Sequence, residues 1–207
     1  MKTLFQLDNP IIRFLSRVFD LAYLNLLCLM CCIPVITIGP SVTALYYCML
    51  KISRERDSSI TKMFFRSFKI NFKQGCLMTL VVLGIGGFLV TDIVACNMLE
   101  ITYLKYIRVV LVILLVLFFI MVSYAFPLLA QFDNTIRNTL KNALIMGVSN
   151  ILPTCLIAGL NAIPILLFVF NGELFLVTFP VWCFGGLSLI AMINSKQFVK
   201  IFDKYID

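Results

Sequence analysis

The residues of this chain that could do chemistry begin with eight cysteines: Cys28, Cys31, Cys32, Cys48, Cys76, Cys96, Cys155 and Cys183. Cys28-Leu-Met-Cys31 has the spacing of a metal or redox pair. The partner ligands such a site draws on are missing, because the chain holds no histidine. Every cysteine lies in or beside an apolar run, where a thiol packs as a small apolar group. Disulfide scaffolds are small, loop-rich and secreted, and this sequence is none of these. No metal site and no cofactor are expected.

Acid–base chemistry has no better foothold. Asp20, Asp92, Glu100, Asp133 and Glu173 are scattered at the ends of apolar runs, and no two have the spacing of a shared acid/base site. Gly84-Ile-Gly86-Gly87 looks like a phosphate loop only in composition. It sits inside an apolar run, where small residues let helices approach. With no nucleotide-binding motif either, the expectation is a protein that is not an enzyme and does not drive ATP-dependent transport alone.

What remains is polar side chains at membrane depth: Asn25, Asn150, Asn161, Ser188 and Asn194. Such groups line a solute path or hold helices together, and the sequence leaves both open. No run has an acid at its centre, which argues against proton coupling. Tyr46, Tyr47, Tyr124 and Phe126-Pro127 fit an interface belt, with stacking on a sugar as the sharper alternative.

Apolar helices must position these residues. The 207-residue chain is 61% hydrophobic and 13% charged, where soluble domains average about 45–50% and about 25%. It has room for five or six spans of about 20 residues. The first twenty residues mix charge with apolar side chains and lack the pattern of a cleavable leader, so the first apolar run should remain as a span. Uncharged runs cover 21–50, 74–91, 109–132, 142–172 and 174–195. Asn171-Gly172-Glu173 reads as a tight turn between the last two.

The first run is the puzzle, because it carries Pro34 and then Gly39-Pro40. As a straight helix it would be about 45 Å long, against a hydrocarbon core of about 30 Å. Extended back to Phe14, it allows Arg17 and Asp20 to pair and Arg13 to reach the interface. Gly39-Pro40 looks like a turn followed by a helix start. Thr37, or less directly Ser41, is placed to satisfy a backbone group that lipid cannot.

Charge chooses among the topologies. Lys and Arg group as three before the first run and seven from Lys51 to Lys73. Two follow at Lys105 and Arg108, two at Arg137 and Lys141, and three after the last span. A first run that crosses once splits them twelve to five; one that crosses twice splits them fifteen to two. The second split is cleaner and puts both termini in the cytoplasm. A re-entrant second segment gives the same sidedness. The net charge of +7 then belongs to inner loops and not to a nucleic-acid site.

Two inner stretches read as amphipathic helices. In ITKMFFRSFKINFKQ, Phe64, Phe68 and Phe72 recur every four residues, with Lys62, Arg66, Lys69 and Lys73 on another face. That pattern fits a helix lying on an anionic inner leaflet, or a partner contact. In LLAQFDNTIRNTLKNAL, Phe132, Ile136, Leu140 and Leu144 run beside Asp133, Arg137 and Lys141. Both lead straight into a span, so the order repeats at roughly seventy residues, as in transporters with internal repeats. The common habit of basic inner loops gives the same pattern.

NPIIRFLSRVFDLAYLNLLCLMCCIPVITIGPSVTALYYCMLK, followed by FFRSFKINFKQ, YAFPLLAQFDNTIRNTLKNAL and NSKQFVKIFDKY, resembles the YesL-like family of bacterial integral membrane proteins. The resemblance covers nearly the whole chain. Its patterned positions fall here on Thr37, Gly39, Pro40, Tyr46, Phe68, Phe72, Pro127 and Asn142. It supplies no catalytic or binding residues to carry over. Members resembling this chain tend to be encoded near carbohydrate-uptake and polysaccharide-degradation systems, which implies an accessory role in sugar import or its sensing.

The resulting expectation is an all-α polytopic bundle forming one integral membrane domain over 1–207. Its segments fall at about 14–34, 39–52, 75–96, 107–129, 148–170 and 174–195. The first hairpin breaks at Pro34, Gly39 and Pro40, and two cytoplasmic helices are amphipathic. The protein sits in the bacterial cytoplasmic membrane as an accessory component of carbohydrate uptake or sensing. Its partner is a sugar permease or a membrane sensor kinase. The alternative is a small solute carrier with Asn25, Thr37, Tyr46, Asn161 and Asn194 along the path. Phe64, Arg66, Phe68, Lys69, Phe72 and Lys73 form the surface for leaflet or partner.

Overall fold

A computed structural model of the chain describes residues 10–54, 59–98 and 102–205. The side chain of Arg13, read above as interfacial, lies outside the described residues, as do Lys2, Arg56 and Glu100. The described residues are helical and contain no strand. In chain order the helices are α1 (Pro10–Cys31), α2 (Ile38–Ser53), α3 (Ile60–Ile70), α4 (Phe72–Met98) and α5 (Thr102–Gln131). Then come α6 (Ile136–Ser149), α7 (Ile151–Phe170), α8 (Gly172–Val181) and α9 (Leu187–Phe202). Among the described residues six stretches are long and apolar enough to cross a membrane: Phe14–Cys31, Val35–Ser53, Phe72–Met98, Tyr103–Gln131, Ile151–Phe170 and Gly172–Tyr205.

The first apolar run is a hairpin. Pro34 has no N–H to continue α1 and pushes its predecessor out of helical geometry. A single tight turn over Val35–Thr37 follows. Thr37 Oγ1 lies 2.7 Å from the carbonyl oxygens of both Cys31 and Pro34, so its hydroxyl serves the freed end of α1. Ser41 Oγ donates to the Thr37 carbonyl at 2.7 Å. Pro40 sits in the first turn of α2, where a missing N–H costs nothing.

Gly39 has a second task. Its N–H donates to Thr79 Oγ1 at 2.8 Å, and Thr79 donates onward to the Gly75 carbonyl at 2.9 Å. A β-carbon on Gly39 would overlap that carbonyl, and one on Gly75 would stand 2.6 Å from the Pro40 nitrogen. The Gly-Pro break is therefore also the point where α2 crosses α4, backbone against backbone.

Helix α2 is the centre of the molecule. It packs against α1, α3, α4, α5 and α9, and Ala44, Cys48 and Met49 are completely buried. At about 1.5 Å per residue it is about 24 Å long. Its end is tied to the end of α9 by Arg54 Nη2 and Asp203 Oδ1 at 2.7 Å. The apolar run thus folds back toward the end of the bundle at which α9 ends, as the hairpin reading expects.

Both amphipathic helices have one face packed inside the bundle. Each folds back along the helix before it. The aromatic face of α3 turns inward: Phe64 is completely buried, Phe68 is half-buried, and their rings stack at 6.4 Å. Thr139, Ala143, Met146 and Gly147 of α6 are buried, with Gly147 against Ile120 and Tyr124 of α5. An apolar stripe on a helix serves lipid and protein core equally; on α3 Phe64 of the stripe enters the core, whereas on α6 Leu144 of the stripe stays exposed.

The last span is longer and broken. Expected over 174–195, it runs as α8, a wide turn over Trp182–Gly186, and α9. Beyond residue 195 the pattern changes from uniformly apolar to amphipathic, and Phe198, Ile201 and Phe202 are buried. The run 142–172 likewise divides at Asn150, whose amide donates to the Met146 carbonyl at 3.0 Å. Pro153 sits in the first turn of α7, where proline is tolerated. The buried core gathers at the end of the bundle marked by Arg54, Phe132 and Phe202. Helices α4, α5 and α7 away from that end present large apolar side chains outward, such as Phe88, Val109 and Phe170.

Candidate functional site

Three of the five candidate path residues meet. Asn194 Nδ2 of α9 donates to Asn161 Oδ1 of α7 at 2.9 Å and to the Tyr46 hydroxyl of α2 at 3.3 Å. Asn194 is completely buried and Tyr46 nearly so. Tyr46 therefore leaves the interface belt proposed for it, and its ring packs edge-on to Phe198 at 5.9 Å. Tyr124 leaves the belt too. It is completely buried, its hydroxyl lies 2.6 Å from Thr154 Oγ1, and Thr154 donates to the Gly147 carbonyl at 2.8 Å.

Asn25 stands apart from that cluster and holds the break in the last span. Its Nδ2 donates to the carbonyls of Trp182 at 2.9 Å and Cys183 at 2.7 Å. Its Oδ1 accepts the N–H of Ser188 at 3.0 Å. One amide thus satisfies three backbone groups that the wide turn takes out of the helical ladder, a need acute where no water reaches. Thr37 is committed to the hairpin, as described above. Pro34, Gly39 and Pro40 shape that same hairpin.

Asn194 Oδ1 of this cluster is buried without a partner among the described residues, as are Thr43 Oγ1 and Ser53 Oγ of α2 and Ser195 Oγ of α9. Thr43 and Ser195 were not singled out from the sequence. A hydroxyl one turn from a candidate tyrosine, or next to a candidate asparagine, was the signal available. Among the described residues no group of three Cys, Asp or Glu side chains is placed to hold a metal.

The six proposed contact residues, four on α3 with Phe72 and Lys73 at the start of α4, divide. Arg66, Lys69 and Lys73 are exposed, Phe72 is 42% exposed, Phe68 is half-buried and Phe64 is inaccessible. The apolar part of the outward surface is supplied instead by Phe65 and Ile70.

These features define a polytopic all-α membrane protein whose hairpins and broken helix are tied by polar side chains inside the bundle. The family described as "Protein of unknown function, DUF624" matches residues 21–93. A curated relative, "Uncharacterized protein YesL" of Bacillus subtilis (strain 168), is 30% identical over 202 residues, covering 94% of this chain and 90% of the relative. The chain belongs to this YesL-like family. No solved structure matches it.

Proposed function

We propose that this protein is a non-catalytic accessory component of carbohydrate uptake or its sensing, acting by contact with a sugar permease or a membrane sensor kinase. It resides in the bacterial cytoplasmic membrane with both termini inside, in keeping with fifteen of seventeen Lys and Arg on that side under the hairpin topology. The observation that carries the contact reading is the outward face of α3. Lys62, Arg66, Lys69 and Lys73 stand exposed together with Phe65 and Ile70, while the stacked aromatic face anchors the helix on α2. A rigidly seated helix with a basic, partly apolar outer side suits an acidic partner surface. The carbohydrate part of the reading rests on the family resemblance.

The test is purification of the tagged protein from its native host in mild detergent, with wild-type α3 and with Arg66→Glu/Lys69→Glu. A stoichiometric permease or sensor kinase, lost from the charge-reversed variant, supports the reading. A homo-oligomer without either partner, together with unchanged sugar uptake in a deletion strain, sinks it.

A second reading, a small solute carrier, is favoured by one observation. Asn194 Oδ1, which belongs to the Tyr46–Asn194–Asn161 cluster, is buried without a partner among the described residues. Flux into liposomes holding only this protein would establish it, and no flux across a broad sugar and oligosaccharide panel would remove it.

A further inference from the structure

A cavity of about 290 Å³ lies between α5, α6 and the turn after α9. Leu128 and Met146 are its buried apolar walls, and Ile145 and Tyr205, each roughly half exposed, stand at its open side. Two aromatic rings, Phe132 and Tyr205, and two amides, Asn134 and Asn142, complete the lining. Among the described residues no charged side chain lines it.

The fold explains how these groups come together. Residues 132–135 connect α5 to α6, and α6 turns back along α5. Asn142, Ile145 and Met146 fall on one face of α6 by helical spacing, and Phe132 follows the end of α5 one turn beyond Leu128. Phe132 is held edge-on by Phe202 at 5.4 Å, so its ring is fixed from behind. Neither amide side chain bonds to another protein group among the described residues. Asn134 uses only its backbone N–H, toward the Phe132 carbonyl.

The geometry points to a binding site for a small neutral polyhydroxylated ring, a pyranose monosaccharide or a cyclitol. Size sets the first limit, since the volume is at the small end of the about 300–1,000 Å³ typical of ligand sites. Charge sets the second: a phosphate or carboxylate would be desolvated with no counter-charge in the lining. Polarity sets the third. An apolar guest would strip water from two amides and give nothing back. An amide offers one acceptor and two donors, which matches adjacent hydroxyls that each donate and accept. The Phe132 and Tyr205 rings supply apolar faces for the C–H side of such a ring. This site is separate from the α3 surface and from the Asn194 cluster, and the inference does not rest on the accessory reading.

The experiment uses the full chain in a detergent without a sugar headgroup. Saturation-transfer NMR and titration calorimetry are run with glucose, galactose, rhamnose and myo-inositol. Glucose 6-phosphate serves as the charged probe and cyclohexanol as the apolar one. At least one neutral polyol is expected to bind saturably at millimolar concentration or below. Asn134→Ala and Asn142→Ala are each expected to weaken it by about tenfold or more, as for a site built around those hydrogen bonds. Ile145→Trp, at the exposed edge, is expected to block binding without touching the buried core. No saturable binding of any polyol, cyclohexanol binding as tightly as the best polyol, or binding indifferent to all three variants would each overturn the assignment. Asn134 lies in a connection and Ile145 is exposed, so those two variants remain informative if Asn142→Ala fails to fold.

Discussion

At the residue scale, the glycines divide by what surrounds them. A methyl group on Gly39 or Gly75 would enter the backbone of the facing helix, which cannot move aside as a flexible side chain can. Overpacking of this kind costs about 1–3 kcal/mol. Gly84 and Gly87 face open space, and alanine there gains helix propensity. Thermal unfolding in one detergent should therefore rank Gly39→Ala and Gly75→Ala well below wild type, with Gly84→Ala level with it or above. Equal melting of all of these would mean that the α2–α4 crossing is loose. Asn25 gives a second residue-scale expectation. Asn25→Ala leaves two carbonyls and one N–H unpaired, and each unsatisfied buried group costs about 1–3 kcal/mol. Asn161 and Asn194 should couple far more weakly, by about 0.6 kcal/mol in a double-mutant cycle, as is usual between membrane helices.

At the element scale, α3 separates what was legible in the sequence from what was not. Its period, its basic face and its aromatic face are all present in the spacing of Phe64, Phe68 and Phe72 against Lys62, Arg66 and Lys69. Which phase the aromatic face enters is not written there, because lipid and protein core reward the same stripe. Stability should answer it. Phe64→Ala should lose about 3–5 kcal/mol, the cost of emptying a core aromatic site. Lys62→Glu or Lys69→Glu should lie within about 0.5 kcal/mol of wild type, as surface changes do. The hairpin break at Pro34 and the turn at Asn171 were readable because proline and asparagine act on neighbours within a few residues. Asn171 Oδ1 indeed caps α8 by accepting the Leu174 N–H at 2.9 Å. The meeting of Tyr46, Asn161 and Asn194 was not readable, since Tyr46 and Asn194 are joined only by the packing of α2 on α9.

At the scale of the whole molecule, the two halves after α2 follow one plan. Amphipathic α3 leads into α4 and α5, and amphipathic α6 leads into α7 and the α8–α9 span. Gly75 and Gly147 make the close approaches, Ser67 and Thr139 are the buried hydroxyls, and Met98 and Phe170 end the outgoing helices. Each pair stands about seventy residues apart, the period of an internal repeat. Tyr124 meets Phe198 at 5.1 Å and Phe132 meets Phe202 at 5.4 Å, so α5 and α9 run in the same direction. A repeat with this period would be a parallel one and not an inverted one. That has a consequence for sidedness. The Arg54–Asp203 pair and the Phe132–Phe202 contact put the ends of α2, α5 and α9 at one end of the bundle. The α1–α2 hairpin turns the start of α1 back toward that end. An N-terminal tag and cysteines placed at Thr61 and Thr135, in a background without the native cysteines, should all be shielded from an impermeant probe in intact cells. A cysteine at Gly172 should react. An N-terminal tag exposed while Thr135 stays shielded would require α1 and α2 to form one crossing, and the Arg54–Asp203 pairing would then have to be wrong.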